Sequence, residues 1–305
     1  MSMLTRIGAP VGAPDTPVEP VAGAKRRRWL PYLLLLPGAV WLAVFFAIPA
    51  AQLFATSLYD PTGSIETGYA MTWQFSNYLD ALRQYAGHFG RSLGYAALTT
   101  LITLLLGYPL AYAIAQKSGR WKNVLLICVI APFFTSFLIR TLAWKVILAD
   151  TGPLVSTLNA LHVPLPDGRL LATAPAVIAG LVYNFLPFMV LPLYASLEKL
   201  DPRLLEAAGD LYAGPITRWF RVTLPLSMPG VVAGTLLTFI PAAGDYINAQ
   251  LLGTSRQAMI GNVIYSRFLR VGDYPTAAAL SFLLMAVILA LVFVYISRAG
   301  TEEVL

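Results

Sequence analysis

A single carboxylate, Asp245, lies inside the long apolar segment 226–252 and is the side chain with the clearest capacity for chemistry. It directly follows Pro241-Ala242-Ala243-Gly244, a sequence that breaks helices, and Tyr246 adds a polar group behind it. A carboxylate at membrane depth costs about 3 kcal/mol to insert. Broken helices at that depth normally line a cavity, and in several transporters they mark the substrate site.

Two interpretations of Asp245 stay open. It could contact a cation on a translocation path, to which the neighbouring polar residues Asn248 and Gln250 would also contribute. Alternatively, it could be an acid at a helix end that is hydrated or paired with Arg140 or Lys145.

A second polar patch, Tyr183 and Asn184, interrupts the apolar segment 173–197. Asparagine inside a membrane helix often hydrogen-bonds to a neighbouring helix, and it can also line a path. Because a cation is attracted to aromatic faces, Tyr183 and Trp144 are further candidates for such a path.

The stretch from Glu206 to Leu211 is polar although it lies between two apolar segments. Asp201-Pro202 is a typical helix start, because Asp caps the first turn and Pro suits it. Gly214-Pro215 should end this first helix, and a second should follow over 216–222 with Trp219 and Phe220 exposed. Two short helices with small alanines between acidic residues are typical of a docking surface.

Most catalytic motifs are absent from the sequence. It has no phosphate-binding loop of the Walker A type, no zinc-protease motif and no nucleophile elbow. It has one cysteine, Cys128, and two histidines, His88 and His162, which excludes most metal and triad chemistry. We therefore expect no catalytic residue, no metal and no cofactor, and transport is favoured over catalysis.

The composition is that of an integral membrane protein, with 57% hydrophobic residues and a mean hydropathy of +0.68. Apolar runs of about 20 residues are long enough to cross the hydrocarbon core, and only helices satisfy their own backbone groups there. The sequence predicts an all-α protein with six transmembrane helices, at about 30–57, 92–116, 123–148, 173–197, 226–252 and 276–298.

Lysine and arginine in the short loops predict the orientation. The run 25–28, within a basic tail 1–28 that we expect to be disordered, and the cluster 117–122 should both be cytoplasmic. Both termini are then cytoplasmic, including the tail 301–305. This positive-inside arrangement accounts for the charge of +6, so we expect membrane lipid and no nucleic acid among the partners. The loop 253–275 opposes this orientation, because its arginines outnumber its single acid although it lies outside.

The polar loop 199–225 resembles the EAA loop of importer-type ABC transporter permeases. Glu206-Ala207-Ala208 is followed at the family's spacing by Val222, then Leu224-Pro225. One position departs from the pattern: the family's glycine would fall at Tyr212, whereas this chain has Gly214. The resemblance implies the type I importer architecture, also called MetI-like, over a permease domain at 29–300.

Three further stretches, 132–144, 244–253 and 259–264, look like signatures of the spermidine/putrescine permease subfamily. The resemblance implies a polyamine substrate, whereas related subfamilies carry ferric ion, sulfate, molybdate or opines. A stand-alone secondary transporter is a weaker alternative, since it would not need the loop 201–222.

The same resemblance implies a set of partners and a mechanism. The partners are two ABC ATPase subunits, a second and different permease, and an extracytoplasmic substrate-binding protein that docks on outer loops such as 59–91 and 149–172. The chain itself would catalyse nothing and would work by alternating access in the bacterial inner membrane. By resemblance, the residues contacting the ATPase would be Glu206, Ala207, Ala208, Asp210, Leu211 and Gly214.

Overall fold

The computed structural model describes residues 30–64, 66–162 and 168–299, so the two terminal tails lie outside the described residues. These residues divide into two units, with the boundary after Ala50. The described part of the first unit is helical: α1, Leu30–Leu42, a π-helical turn, Ala43–Ala47, and the start of α2, Ile48–Ser57. Within the described ranges, the second unit consists of helices and connecting turns, and pairing between extended residues is limited to isolated bridges.

The helices that follow in chain order are α3 Ser76–Tyr112, α4 Lys122–Ile130, α5 Phe137–Ile147, α6 Pro153–Ala160, α7 Ala174–Glu198, α8 Pro202–Asp210, α9 Pro215–Arg218, α10 Leu224–Leu226, α11 Met228–Ala243, α12 Ile247–Leu252, α13 Ile260–Tyr265 and α14 Tyr274–Ala299. Short 3-10 turns, Gly119–Trp121, Ala131–Phe134 and Ser255–Gln257, precede α4, α5 and α13. Single π-helical turns extend α3, α9 and α13.

Four helices are long and apolar enough to cross a membrane: Leu33–Ser57, Ser76–Lys117, Ala174–Glu198 and Tyr274–Arg298. Two bent pairs also qualify if each is one span, Gly119–Phe134 with Phe137–Ile147 at 96° and Pro215–Leu226 with Met228–Ala243 at 66°. The described residues therefore hold four to six spans, and the predicted fold class, an all-α integral membrane protein, is confirmed.

Helices α3, α7 and α11 form the centre of the second unit, and glycines let them approach closely. Met189 of α7 is fully buried and lies between Gly107 of α3 and Gly234 of α11. A Cβ atom at Gly234 would lie 2.8 Å from the Met189 sulfur, and one at Gly107 would lie 3.2 Å from the Met189 Cγ. Small residues at helix interfaces are how membrane helices pack, because lipid gives them no hydrophobic drive to associate.

The structure corrects the predicted start of the second apolar segment, 92–116. Helix α3 already begins at Ser76, so residues 76–91 are not a loop. Ala81, Tyr85 and Phe89 recur every four residues and bury one face of this extension against α13 and α14. The extension escapes an apolar-run criterion because its opposite face is polar.

The third predicted segment, 123–148, is not one straight helix. It breaks after the 3-10 turn Ala131–Phe134, where Thr135 adopts an extended conformation (φ −99°, ψ 141°), and α5 then leaves at 96°. The fifth segment, 226–252, is interrupted between α11 and α12, at Gly244–Tyr246. This second break confirms the interruption expected from Pro241 and Gly244.

Candidate functional site: a coupling surface and a broken helix

The predicted docking loop folds as two short helices, α8 and α9, joined by an exposed turn. Asp201 caps α8, since its carboxylate oxygen accepts a hydrogen bond from the Arg203 N–H at 2.9 Å. Gly214 precedes α9, whose first residue is Pro215, as in many helix starts. We call α8, α9 and the turn 211–214 the coupling surface.

Most predicted contact residues of the coupling surface face solvent. The exposed ones are Glu206, Ala207, Asp210, Leu211 and Gly214, and Leu211 has 81% of its surface exposed. Ala208 is half-buried. The structure therefore brings the six residues together in one largely exposed stretch of chain.

Tyr212 accounts for the departure from the family's glycine. Its backbone is left-handed (φ +58°), and its side chain is 99% exposed. The Ala213 N–H donates to the Ala208 carbonyl at 3.0 Å, and the Tyr212 N–H donates to the Gly209 carbonyl at 2.9 Å. This is the Schellman arrangement, which ends a helix with one left-handed residue and favours glycine there. The backbone of Tyr212 therefore has the left-handed conformation expected of the family's glycine, although a residue with a side chain adopts that conformation less readily.

Trp219 corrects the prediction that both aromatic residues of the second helix are exposed. It is half-buried, and its ring packs edge-on against Tyr108 of α3, with centroids 5.4 Å apart. The Tyr108 hydroxyl in turn lies 2.8 Å from the Ser227 hydroxyl, at the bend before α11. Phe220 is 57% exposed, as expected. Trp219, which directly follows α9, thus anchors the coupling surface to α3, one of the three central helices.

Asp245 lies in the break between α11 and α12 and is buried, with 8% of its surface exposed. Its Oδ1 accepts a hydrogen bond from the Asn248 N–H at 2.8 Å, so it caps the start of α12. The ion pairs among the described residues, Lys122–Glu198 and Arg267–Asp273, involve neither Asp245 nor Arg140 or Lys145. Asp245 therefore lies at a helix end but pairs with neither Arg140 nor Lys145 in this conformation, and hydration and contact with a cation both stay open.

Asn184 joins three elements at the depth of the break. Its Nδ2 donates to Thr141 Oγ1 of α5 and to Asn248 Oδ1 of α12, both at 3.1 Å. One turn away, Trp144 and Tyr183 pack edge to face with ring centroids 5.4 Å apart. Hydrogen bonds therefore connect α5, α7 and α12 through Asn184 and continue from Asn248 to Asp245, whereas Trp144 and Tyr183 form a separate pair between α5 and α7.

A wall on the far side of the break comes from α13. The Tyr246 ring stacks on the Tyr265 ring at 4.9 Å, and Asn262 Nδ2 donates to the Tyr246 carbonyl at 2.8 Å. A Cβ atom at Gly261 would lie 2.6 Å from the Gly244 carbonyl oxygen, so only glycine fits there. The Tyr246 carbonyl, a backbone group freed by the break, is thus hydrogen-bonded by α13, as membrane depth requires.

Arg140 is a buried cation close to these residues. It has 8% of its surface exposed, and its Nε and Nη1 atoms have no hydrogen-bond partner among the described residues. Its guanidinium lies over the rings of Phe133 and Phe137, at 5.1 and 5.6 Å. Aromatic faces compensate part of the cost of a buried cation, but they leave its hydrogen bonds unmade.

Sequence reasoning did not single out Thr141 and Tyr265 as parts of the site. Thr141 is fully buried and holds Asn184, but a threonine in a helix carries no signal of its own. Tyr265 follows one of the subfamily-like stretches, 259–264, directly, so its neighbourhood was marked although its stacking was not predictable.

A family model described as "Binding-protein-dependent transport system inner membrane component" matches residues 104–301. The chain is 42% identical over 256 residues to the "Spermidine/putrescine transport system permease protein PotB" of Haemophilus influenzae, covering 84% of this chain and 89% of that protein. It is 40% identical over 258 residues to the protein of the same name from Escherichia coli, covering 84% and 92%.

Two solved structures share the fold. A bacterial ABC transporter involved in the import of the acidic polysaccharide alginate has a chain that aligns with a TM-score of 0.72, at 20% identity, over 91% of this chain and 97% of its own. The alginate transporter in complex with an alginate pentasaccharide-bound periplasmic protein aligns with a TM-score of 0.68, also at 20% identity, over 90% and 96%. At such identity the likeness concerns the fold alone.

Proposed function

We propose that this chain, which belongs to the family of inner membrane components of binding-protein-dependent transport systems, is the permease subunit of an ATP-driven importer for polyamines. The observation that carries the proposal is the coupling surface. An EAA-type loop with its characteristic spacing folds into two exposed helices at one end of the central helices, where a soluble ATPase can reach it.

The coupling surface would receive the movement of the ATPase dimer and pass it on. Trp219 packs against Tyr108 of α3, and the bend at Ser227 leads directly into α11. Helix α11 has 16 residues and so spans about 24 Å, ending at the break that holds Asp245. Because a rigid helix joins the coupling surface to the break, the nucleotide state of the ATPase could shift the equilibrium between two conformations of the path. Alternating access requires such a shift.

The orientation follows from this assignment. The coupling surface must be cytoplasmic, so the opposite end of α7 and α11, with the break and α13, is extracytoplasmic. The basic loop 117–122 then lies on the cytoplasmic side, where lysine and arginine are favoured. A second permease, two ATPase subunits and a substrate-binding protein complete the importer, and this chain supplies no catalytic group.

A polyamine fits the path residues by charge. Asp245 provides a carboxylate, and two aromatic pairs, Trp144 with Tyr183 and Tyr246 with Tyr265, provide faces that attract cations. Relatives at 42% and 40% identity carry the name of a spermidine/putrescine system. One acid is few for a polycation, so the second permease would supply further acidic groups.

Arg140 favours a second candidate, an importer of the same class for an anion. Its Nε and Nη1 atoms are buried without a partner among the described residues, and an anionic substrate would satisfy them. The aromatic rings beside Arg140 already offset part of its charge, and for that reason we place the anion second.

The test is ATP hydrolysis by the chain reconstituted with its ATPase and second permease. The activity is titrated with binding protein loaded with spermidine, putrescine, ferric ion or sulfate. Stimulation by polyamine-loaded protein alone supports the proposal. Stimulation by sulfate-loaded protein alone would move the substrate site from Asp245 to Arg140. A purified chain with no associated ATPase would overturn the importer assignment.

Ala208 tests the coupling surface directly. Ala208→Trp places a large ring on α8 where close approach of the ATPase needs a small residue, so hydrolysis should persist while transport falls at least tenfold. Ala70→Trp, at an exposed alanine outside the coupling surface, is the matched control and should leave ATPase association unchanged. Wild-type coupling in the Ala208→Trp variant would contradict the assignment.

A further inference from the structure

A cavity of about 520 Å³, lined by polar and apolar residues, opens beside α12 and α13, on the extracytoplasmic side in the proposed orientation. Its volume is in the range of ligand sites, about 300–1,000 Å³. Hydrogen-bonding side chains line it, with two arginines and no acidic residue among them. The lining residues that matter here are Gln250, Thr254, Asn262, Tyr265, Arg267 and Arg270.

The two arginines differ in their engagement. Arg267 is held in place, because its Nη1 lies 3.3 Å from the Asp273 carboxylate and its Nη2 donates to the Tyr85 hydroxyl at 2.5 Å. Arg270 is exposed, its guanidinium lies 5.8 Å from the Tyr265 ring centre, and no carboxylate of the described residues pairs with it. The cavity therefore offers one neutralised and one available guanidinium.

This positive charge stands on the side of the membrane where it is least expected. The loop 253–275 carries Arg256, Arg267 and Arg270 against the single acid Asp273. Extracytoplasmic loops are normally poor in arginine, since lysine and arginine hold a loop on the cytoplasmic side. A charge that opposes the topology signal points to an anionic group that binds there.

The cavity is also tied to the broken helix. Two of its lining residues, Asn262 and Tyr265, hold the Tyr246 carbonyl and ring. Arg91 of α3 donates to the carbonyl of a third lining residue, Ala258, at 2.6 Å. A group that binds in the cavity therefore contacts residues that hold the break between α11 and α12, where Asp245 lies.

We propose that this cavity receives a carboxylate-bearing segment of the extracytoplasmic binding protein, with Arg270 as the contact that recognises it. The inference rests on the proposed importer function and adds a docking site, built mainly on residues 249–270 with Tyr85 from the range 59–91, to the outer loops 59–91 and 149–172. The free cationic substrate is repelled by the same guanidinium, so the cavity selects the acidic partner over its cargo. Charged contacts of this kind chiefly set encounter rate and specificity, and they weaken as salt rises.

The experiment measures the Kd of the cognate binding protein for the assembled transporter in nanodiscs of neutral lipid. Arg270→Glu reverses the recognising charge without touching the bonds of Arg267, and Arg270→Gln only removes it. Arg256→Glu is the matched control, because Arg256 is exposed in the same loop but does not line the cavity. We expect Arg270→Glu to raise Kd at least tenfold, Arg270→Gln less, and Arg256→Glu less than threefold.

A hexaglutamate peptide provides a second readout and should compete with the binding protein on the wild-type transporter but not on Arg270→Glu. Equal effects of the two charge reversals, or no effect of either, would refute the docking site. An effect that appears only in nanodiscs containing an anionic lipid would assign the cavity to lipid headgroups and refute it as well. Basal ATP hydrolysis stays at its wild-type level in all these variants if the importer assignment holds, so failure of the docking site is distinguishable from failure of the proposed function.

Discussion

Tyr212 allows a prediction in which the stability and the function of one loop move in opposite directions. The residue closes the Schellman turn of α8 with φ +58°. A left-handed conformation costs a residue with a Cβ atom about 1–2 kcal/mol. Glycine avoids that cost, but it loses about 0.5–1 kcal/mol more than other residues in backbone entropy on folding. The substitution Tyr212→Gly should therefore stabilise the turn by about 1 kcal/mol.

Amide hydrogen exchange in the isolated chain measures this effect locally. The Ala213 N–H, which donates to the Ala208 carbonyl, should exchange about fivefold more slowly in Tyr212→Gly, since 1.4 kcal/mol corresponds to about a factor of ten. Gly214→Ala is the control: φ at Gly214 is −64°, and a Cβ atom there meets open space. In this variant the Ala213 N–H should exchange within about twofold of the wild-type rate, because the change leaves its hydrogen bond to the Ala208 carbonyl in place. Unchanged or faster exchange in Tyr212→Gly would refute the strain argument.

The same substitution should weaken the partner interface. A fully exposed aromatic side chain held in an unfavourable conformation suits a contact outside the chain, because strain persists where function requires it. We expect Tyr212→Gly to bind the ATPase at least tenfold more weakly, whereas Tyr212→Phe, which keeps the ring, should bind as the wild type does. Equal ATPase affinity of the glycine and phenylalanine variants would show that the ring has no part in docking.

Three further predictions follow from the described contacts. Asp245→Asn should lower polyamine transport at least tenfold with normal assembly, and wild-type uptake would leave this acid a merely structural cap. Gly234→Val should destabilise the helix core by about 1–3 kcal/mol and lower the thermal unfolding temperature in detergent, because a Cβ atom there lies 2.8 Å from the Met189 sulfur. The control Gly244→Ala, whose Cβ atom meets open space, should leave that temperature unchanged. Trp219→Ala removes the contact of the coupling surface to α3, so hydrolysis should continue with reduced transport, and full transport would show that α11 alone carries the movement.

The sequence predicts what depends on local signals. Apolar runs predicted the helical membrane fold, and Pro241 with Gly244 predicted the break at Asp245. Asp201-Pro202 and Gly214-Pro215 predicted the two helices of the coupling surface, because capping and chain-breaking preferences act over a few residues.

Contacts between distant segments were beyond such reasoning. Helix α3 starts at Ser76 because its outer turns bury one face against α13 and α14, and an apolar-run criterion does not detect that face. The burial of Trp219 depends on Tyr108, far away in the chain. The bend before α5 likewise depends on how Thr135 leaves the helix, which the preceding residues do not determine.

The two helix breaks give the molecule its working geometry. At the bend of 66° before α11, the coupling surface turns away from the membrane span, and at Gly244–Tyr246 the same span opens again beside α13. Helix α11 between them is packed through glycines against α7, and such close packing favours movement as a rigid body over bending. In the proposed importer, a displacement at the coupling surface would reach the break, where Asn262 and Tyr265 hold the chain and Asn184 holds Asn248 at the start of α12. A continuous helix at the position of Asp245 would have no break at which the chain could change conformation.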